Sequence, residues 1–140
     1  MKHVNRTTLV LVLVLFVCAV IGIAYAAQEV PDQFKIDYRD KFEKAIKTPV
    51  DLSHKKHHDD YKVACTECHH VMKDGKNVWQ QGDPVQKCIE CHSPNKEEAK
   101  AKNVLDLRNA LHKNCQSCHK DAVKEGKKAP VKCTECHVKE

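Results

Sequence analysis

The pattern of apolar and polar positions is irregular after residue 27 and predicts only short elements. Phe34, Ile36 and Tyr38 alternate with charged residues, as in a short strand, while residues 42, 45 and 46 are apolar at a helical spacing. Both a strand and a helix are therefore open for residues 34–46. Thr48-Pro49 ends whichever element precedes it, because the residue before a proline avoids helical angles. Residues 50–52 are predicted to form a second short strand.

Turn and capping residues predict the remaining elements. Asp74-Gly75 predicts a β-hairpin over residues 71–79, and residues 82–84 predict a turn. Residues 104, 107 and 111 keep a helical spacing, so a helix is predicted over residues 96–113, with Asn95 or Ser93 as its cap. A second short helix is predicted from residue 117 to a C-terminal stop at Gly126.

The longest apolar run lies at residues 9–23, preceded by Lys2 and Arg6 and followed by Ala24-Tyr25-Ala26. These are the three parts of a secretory signal peptide, which predicts a signal over residues 1–26 and a mature domain over residues 27–140. The run is short for a membrane span of about 20 residues, although a retained anchor is the alternative. Cys18 lacks the small preceding residue of a lipidation site, and it is interpreted as an apolar filler that leaves with the signal.

Four copies of C-x-x-C-H organise the mature chain, and this spacing is that of a c-type haem attachment site. Two thiols so spaced can form thioethers with the two vinyl groups of one porphyrin, and the next residue, a histidine, can ligate the iron. The sequence therefore predicts four covalently attached haem c groups. The copies are Cys65, Cys68 and His69; Cys88, Cys91 and His92; Cys115, Cys118 and His119; and Cys133, Cys136 and His137.

Cysteine pairs at this spacing also bind structural zinc, usually two pairs to one ion, or form disulfides in an oxidising compartment. Neither alternative explains why a histidine follows the second cysteine in all four copies. Haem attachment is therefore the favoured interpretation.

Composition and charge limit what the polypeptide can do by itself. The chain is 31% charged and only 5% aromatic, so a short domain of this kind buries little apolar surface of its own. The predicted fold class is mostly irregular with small α-helices and a short N-terminal β-hairpin, wrapped around a four-haem core, and the chain without haem is not expected to fold. Haem propionates offset the small excess of basic residues, so nucleic-acid binding is not indicated.

The mature chain contains enough histidines to supply a second axial ligand to each of four irons. The usual alternative for a lone histidine is a surface position, but clustering beside the motifs favours ligation. Met72 is the only methionine of the mature chain, and it is expected to pack near a ring rather than to ligate. One histidine is left over from the further set, which consists of His54, His57, His58, His70 and His112.

His54-x-x-His57 followed by Cys65-x-x-Cys68-His69-His70 resembles the N-terminal signature of the tetrahaem class III cytochromes c, the cytochrome c3 family. The resemblance extends from residue 48 to residue 137. All four sites here are C-x-x-C-H, whereas many members have a longer second and fourth motif, which indicates a divergent subtype. The resemblance leaves His58 as the spare, with the choice between it and His57 open. It implies the iron-ligand pairs His54 with His69, His70 with His92, His57 with His119, and His112 with His137.

The resemblance also implies a function. It predicts a periplasmic, low-potential electron carrier, not an enzyme, that accepts electrons from a hydrogenase or formate dehydrogenase and passes them to a membrane-bound cytochrome complex in anaerobic sulfate or metal respiration. Contact with the membrane would be only through that partner. Seven lysines against three acidic residues make residues 113–139 a candidate docking patch, although a solvated lysine face is the plainer alternative. The lysines are Lys113, Lys120, Lys124, Lys127, Lys128, Lys132 and Lys139.

Two other functions use the same residues differently. A small multihaem reductase would need one iron without a second protein ligand, which the number of histidines disfavours. A membrane-anchored, quinol-oxidising subunit would need residues 1–26 retained, which the cleavage pattern disfavours.

Overall fold

The computed structural model describes residues 31–44 and 47–139, all of which fall in one unit, Pro31–Glu140. The predicted signal peptide with Cys18, its cleavage position, and residues 45 and 46 of the possible first helix lie outside the described residues. Within the described part of the chain, no helix is both long and apolar enough to cross a membrane.

Two short strands form the N-terminal sheet. β1 (Phe34–Ile36) pairs antiparallel with β2 (Val50–Leu52), and Phe34 lies opposite Leu52. The strand alternative for residues 34–36 is therefore correct, and the strand predicted at residues 50–52 is confirmed. A 3-10 turn at Arg39–Lys41 follows β1, and the Asp37 carboxylate accepts hydrogen bonds from the backbone and side chain of Arg39.

The predicted hairpin is confirmed. β3 (Met72–Lys73) pairs antiparallel with β4 (Lys76–Asn77). Asp74 has φ 51° and Gly75 has φ 75°, the pair of left-handed residues that a two-residue turn between right-twisted strands requires. Asp and Gly are the residues that adopt these angles at least cost, which is why this dipeptide was a reliable signal.

Four α-helices follow: α1 (Cys88–Cys91), α2 (Lys96–Ala101), α3 (Leu107–Lys124) and α4 (Cys133–Cys136). The prediction of one helix over residues 96–113 and another from residue 117 was wrong. The chain leaves the helix at Asn103, which has φ 55°, and re-enters it at Asp106, whose carboxylate caps α3 by accepting from the Asn109 backbone N–H at 3.2 Å. α3 then continues through the third cysteine motif without a break.

Side-chain hydrogen bonds fix the start of α2, and a glycine follows the end of α3. Asn95 caps α2, as predicted, by accepting from the backbone N–H groups of Glu97 and Glu98 at 2.9 and 3.3 Å. The Ser93 hydroxyl donates to the Glu98 carboxylate at 2.7 Å and so closes the same turn. Gly126 has φ 79° just beyond α3, which confirms the predicted stop.

The polypeptide core is small. Among the described residues the buried apolar side chains are Trp79, Ala99 and Leu107, and Leu107 is fully buried. The Leu107 backbone N–H donates to the Ser93 carbonyl at 2.9 Å, which holds the start of α3 against the segment before α2. The fold is thus small and irregular with few helices and a short strand pair, as predicted, while wrapping around four haems stays a prediction.

Candidate haem-binding sites

Each C-x-x-C-H motif forms a single helical turn. In three of them the histidine backbone N–H donates to the carbonyl of the first cysteine, at 2.8 Å for His69, 2.9 Å for His92 and 2.8 Å for His137. The third motif lies inside α3 and has the same helical form. Residues three apart in a helix lie on one face, so both cysteines of a motif face the same side.

Glutamates inside two motifs fix the start of the turn. The Glu90 carboxylate accepts from the Lys87 backbone N–H at 3.1 Å, and the Glu135 carboxylate accepts from Lys132 and Val131 at 2.9 and 2.8 Å. These backbone donors hold the pKa of Glu135 below its ordinary value. The second and fourth motifs are therefore capped at the turn that carries their cysteines.

The structure brings eight of the nine histidines of the described residues together in four pairs, and each pair joins one motif histidine to one that lies outside the four motifs. The pairs are those that the family resemblance implied. The ring centroids are separated by 6.2 Å for His54 and His69, 5.9 Å for His70 and His92, 6.1 Å for His57 and His119, and 6.2 Å for His112 and His137.

This spacing fits one metal ion between the two rings of each pair. A metal-bound imidazole nitrogen lies about 2 Å from the ion and roughly 1.1 Å from its own ring centre, so opposed ligands have centroids about 6.2 Å apart. Aromatic rings in direct contact also have centroids about 4.5–7 Å apart, so an ion is indicated because the same spacing recurs in four pairs, each containing one motif histidine. The four pairs therefore suit a haem iron with two axial imidazoles, the porphyrin supplying the remaining ligands.

Backbone carbonyls orient five of the eight paired rings. In each case Nδ1–H donates to the carbonyl, which leaves the Nε2 lone pair for a metal. The two pairs with a bond on both rings are His57 with His119 and His112 with His137. The bonds run from His57 to Ser53 at 2.8 Å, His92 to Leu105 at 2.8 Å, His112 to Arg108 at 2.9 Å, His119 to Pro130 at 2.7 Å, and His137 to Thr48 at 2.6 Å.

His58 is placed differently from His57. Its Nδ1 lies 3.4 Å from the Val63 carbonyl, and it lines a shallow, open cleft with Asp59 and Lys62. No imidazole of the described residues faces its ring, whereas His57 faces His119. His57 therefore faces a motif histidine and His58 does not, while the choice between them as a ligand stays a prediction.

Local burial changes the pKa values of the site residues. Burial lowers the pKa of His69, and the neighbouring His54 and His70 lower it further. The lowered pKa favours the neutral imidazole, which is the form that ligates a metal. Desolvation raises the pKa of four motif thiols, which favours the protonated thiol over the thiolate. These are Cys68, Cys88, Cys115 and Cys136.

The described part of the chain gives no support for a structural zinc site or for disulfides. No group of three or more histidine, cysteine or acidic side chains there could hold a metal ion, as a structural zinc site requires. The eight motif cysteines, all within the described residues, form no disulfide with one another. Met72 is more than half exposed on β3.

Sequence reasoning missed the residues that hold the ligands in place. The carbonyls of Thr48, Ser53 and Pro130 are backbone groups, so no residue type signals their role. Asn77 and Trp79 contact the first motif through their side chains, and the position of the only tryptophan just after that motif could have indicated a role.

Comparison with known proteins gives the same assignment. The family model described as class III cytochrome c matches residues 31–137. A cytochrome c3 from Desulfovibrio desulfuricans is 36% identical and the match covers 69% of this chain and 84% of the relative. A cytochrome c3 from Maridesulfovibrio salexigens is 35% identical over the same shares.

Among solved structures, the high-molecular-weight cytochrome c from Desulfovibrio vulgaris (Miyazaki F), crystallised in the presence of zinc ion, is similar with a TM-score of 0.47 and 24% identity. The match covers 84% of this chain but 22% of that much longer one. The family match and the two relatives decide the assignment. The chain belongs to the class III cytochrome c family, whose haem c is covalently bound and whose cytochrome c3 members are multihaem electron carriers.

Proposed function

We propose that this chain is a low-potential electron carrier with four covalently attached haem c groups, each ligated by two histidines. The observation that carries the proposal is the set of four imidazole pairs at 5.9–6.2 Å, each beside one C-x-x-C-H turn. Eight cysteines supply the thioethers: Cys65 and Cys68, Cys88 and Cys91, Cys115 and Cys118, and Cys133 and Cys136.

Two axial imidazoles at each iron decide between carrier and enzyme. Haem c, when bound, supplies a one-electron iron couple. The chain's paired histidines would occupy both axial positions, so no iron would bind a substrate, and two nitrogen ligands hold the potential low. In the proposed function, the protein therefore transfers electrons and catalyses no reaction of its own.

Haem content and carbon monoxide binding test the proposed carrier function directly. The purified holoprotein is expected to contain four haems per chain, and its dithionite-reduced visible spectrum is expected to stay unchanged under carbon monoxide, because no iron has a free position. Haem content by pyridine haemochrome and the spectrum with and without the gas are the measurements. A carbon monoxide shift in a quarter of the haem would instead favour the reductase alternative.

The proposed location is the periplasm, with residues 1–26 as the export signal. The proposed donors are a hydrogenase or a formate dehydrogenase and the proposed acceptor is a membrane-bound cytochrome complex, in anaerobic sulfate or metal respiration. The family resemblance supports this setting.

A lysine patch over residues 113–139 is the proposed docking surface. Three of its lysines have neighbouring acidic partners: Lys124 with Asp121 at 2.7 Å, Lys127 with Glu125 at 2.7 Å, and Lys132 with Glu135 at 3.8 Å. The others form no ion pair within the described part of the chain, so their charge is free to attract an acidic partner. These are Lys113, Lys120, Lys128 and Lys139.

Reversing the charge of two of these lysines tests the proposed docking surface. Lys120→Glu with Lys128→Glu is expected to slow reduction by the partner about tenfold at low ionic strength and to flatten its salt dependence, because steering depends on long-range charge. Stopped-flow reduction across a salt series is the measurement. The matched control, Lys73→Glu with Lys76→Glu, makes the same charge change on the β3–β4 hairpin. Equal slowing in both variants would show that net charge, not the patch, matters.

A further inference from the structure

The imidazole of His69, in the first motif, makes a different contact from the imidazoles of the other three motif histidines. His92, His119 and His137 each donate from Nδ1 to a backbone carbonyl. Within the described part of the chain, the His69 ring makes no such bond. The indole of Trp79 packs against it instead, with ring centroids 5.0 Å apart and an angle of 33° between the planes.

Trp79 is itself firmly placed. Its side chain is 7% exposed, and its Nε1–H donates to the Pro84 carbonyl at 3.3 Å. Its backbone N–H donates to the Asn77 side-chain oxygen at 3.1 Å. The indole is therefore held in one orientation, and it packs against one side of the His69 imidazole.

Asn77 ties the same hairpin to the backbone of the first motif. Its amide oxygen accepts from the Val71 backbone N–H at 3.0 Å as well as from Trp79. Its amide nitrogen donates to the His69 carbonyl at 3.0 Å and the Thr66 carbonyl at 3.4 Å. One side chain thus satisfies four backbone groups around the motif turn.

We propose that Asn77 and Trp79 are the positioning residues of His69. Asn77 fixes the backbone of the first motif, and Trp79 fixes the plane of the imidazole. Together they set the 65° angle between the rings of His54 and His69. This inference rests on the proposed function, because it assigns an iron to that pair.

The angle has a spectroscopic consequence. In a low-spin ferric haem the angle between the two axial imidazole planes determines the anisotropy of the g values, and the orientation and hydrogen bonding of a ligand tune the metal. The His57 and His119 rings are nearly parallel at 21°, whereas the other three pairs are inclined at 57° to 75°. A rotation of His69 alone would therefore change one of four signals.

Three variants test the proposal in the oxidised holoprotein. Trp79→Leu removes the aromatic ring that packs against His69. Trp79→Phe keeps an aromatic ring but loses the hydrogen bond to the Pro84 carbonyl. Asn77→Asp keeps the acceptor for Val71 and Trp79 but loses both donors to the motif. Electron paramagnetic resonance and potentiometric titration are the readouts.

The expected result is a change confined to one haem. Trp79→Leu shifts the largest g value of one low-spin signal and the midpoint potential of one haem, Trp79→Phe shifts the same signal less, and Asn77→Asp shifts it too. The matched control is Tyr61→Leu. Tyr61 packs edge-on against His57 at 5.7 Å, but His57 is already held by Ser53, so no signal should move.

Unchanged signals in the Trp79 and Asn77 variants would overturn the proposal, as would an equal shift in Tyr61→Leu. If Trp79→Leu does not accumulate as holoprotein, Trp79→Phe and Asn77→Asp decide between the same outcomes. Failure of the proposed function is seen separately, in the wild-type protein, as fewer than four low-spin haem signals or as binding of carbon monoxide.

Discussion

Replacing His57 with alanine is expected to open one of four irons to carbon monoxide, whereas replacing His58 leaves all four closed. The His57 ring faces His119 with centroids 6.1 Å apart, and the Ser53 carbonyl orients it at 2.8 Å. Without that ring, the iron assigned to His119 loses its second imidazole. The dithionite-reduced visible spectrum should then shift under carbon monoxide in a quarter of the haem.

The neighbouring histidine is the matched control, since it has the same side chain one position along the chain. His58 is exposed and faces no other imidazole among the described residues. A carbon monoxide shift in His58→Ala, together with none in His57→Ala, would show that the two roles are reversed. The same shift in both variants would mean that the whole turn at Lys56–Asp60 had been displaced.

Leu107→Ala is expected to lower the free energy of unfolding of the holoprotein by about 2–5 kcal/mol, because removing a fully buried leucine side chain loses transfer energy and leaves a cavity. Leu107 is 0% exposed without any contribution from haem. It begins α3, which carries His112 and the third motif, so loss of packing there also loosens two sites. Guanidinium unfolding followed by helical circular dichroism is the measurement.

Val123→Ala is the control on the same helix. Val123 is 44% exposed, so its loss is expected to change the free energy of unfolding by only about 0.5 kcal/mol. Equal losses for the two variants would contradict the view that the start of α3 is packed by the polypeptide itself.

The elements that the sequence predicted well are those with a local cause. The Asp74-Gly75 hairpin depends on two left-handed residues that these side chains adopt easily, and Asn95 caps α2 through bonds within four residues. Each of these could be predicted because the forces involved act within a short segment.

The helix error has a physical origin as well. Residues 104, 107 and 111 keep a helical spacing, but that spacing cannot show a break at Asn103, where one left-handed residue turns the chain. The apolar spacing gave no indication of the cap at Asp106 either. The two predicted helices left a gap at residues 114–116, whereas α3 continues through these residues and the third motif.

The arrangement of the ligand pairs lies beyond local reasoning. His57 and His119 are separated by a long stretch of chain, and the carbonyl that orients His137 belongs to Thr48, 89 residues earlier. Counting histidines showed that enough ligands exist, and the resemblance supplied the pairing. The carbonyls that orient the histidines belong to the backbone, so no residue type in the sequence indicates them, and they are identified only from the fold.

The order of the paired histidines along the chain bears on how the protein is made. In every pair the histidine outside the motif comes first: His54 precedes His69, His70 precedes His92, His57 precedes His119, and His112 precedes His137. Under the proposed export, N-terminus first, the chain would present each outer imidazole before the motif that it faces. Under the proposed ligation, haem attachment could then proceed motif by motif, because no iron would wait for a later segment to supply its second imidazole.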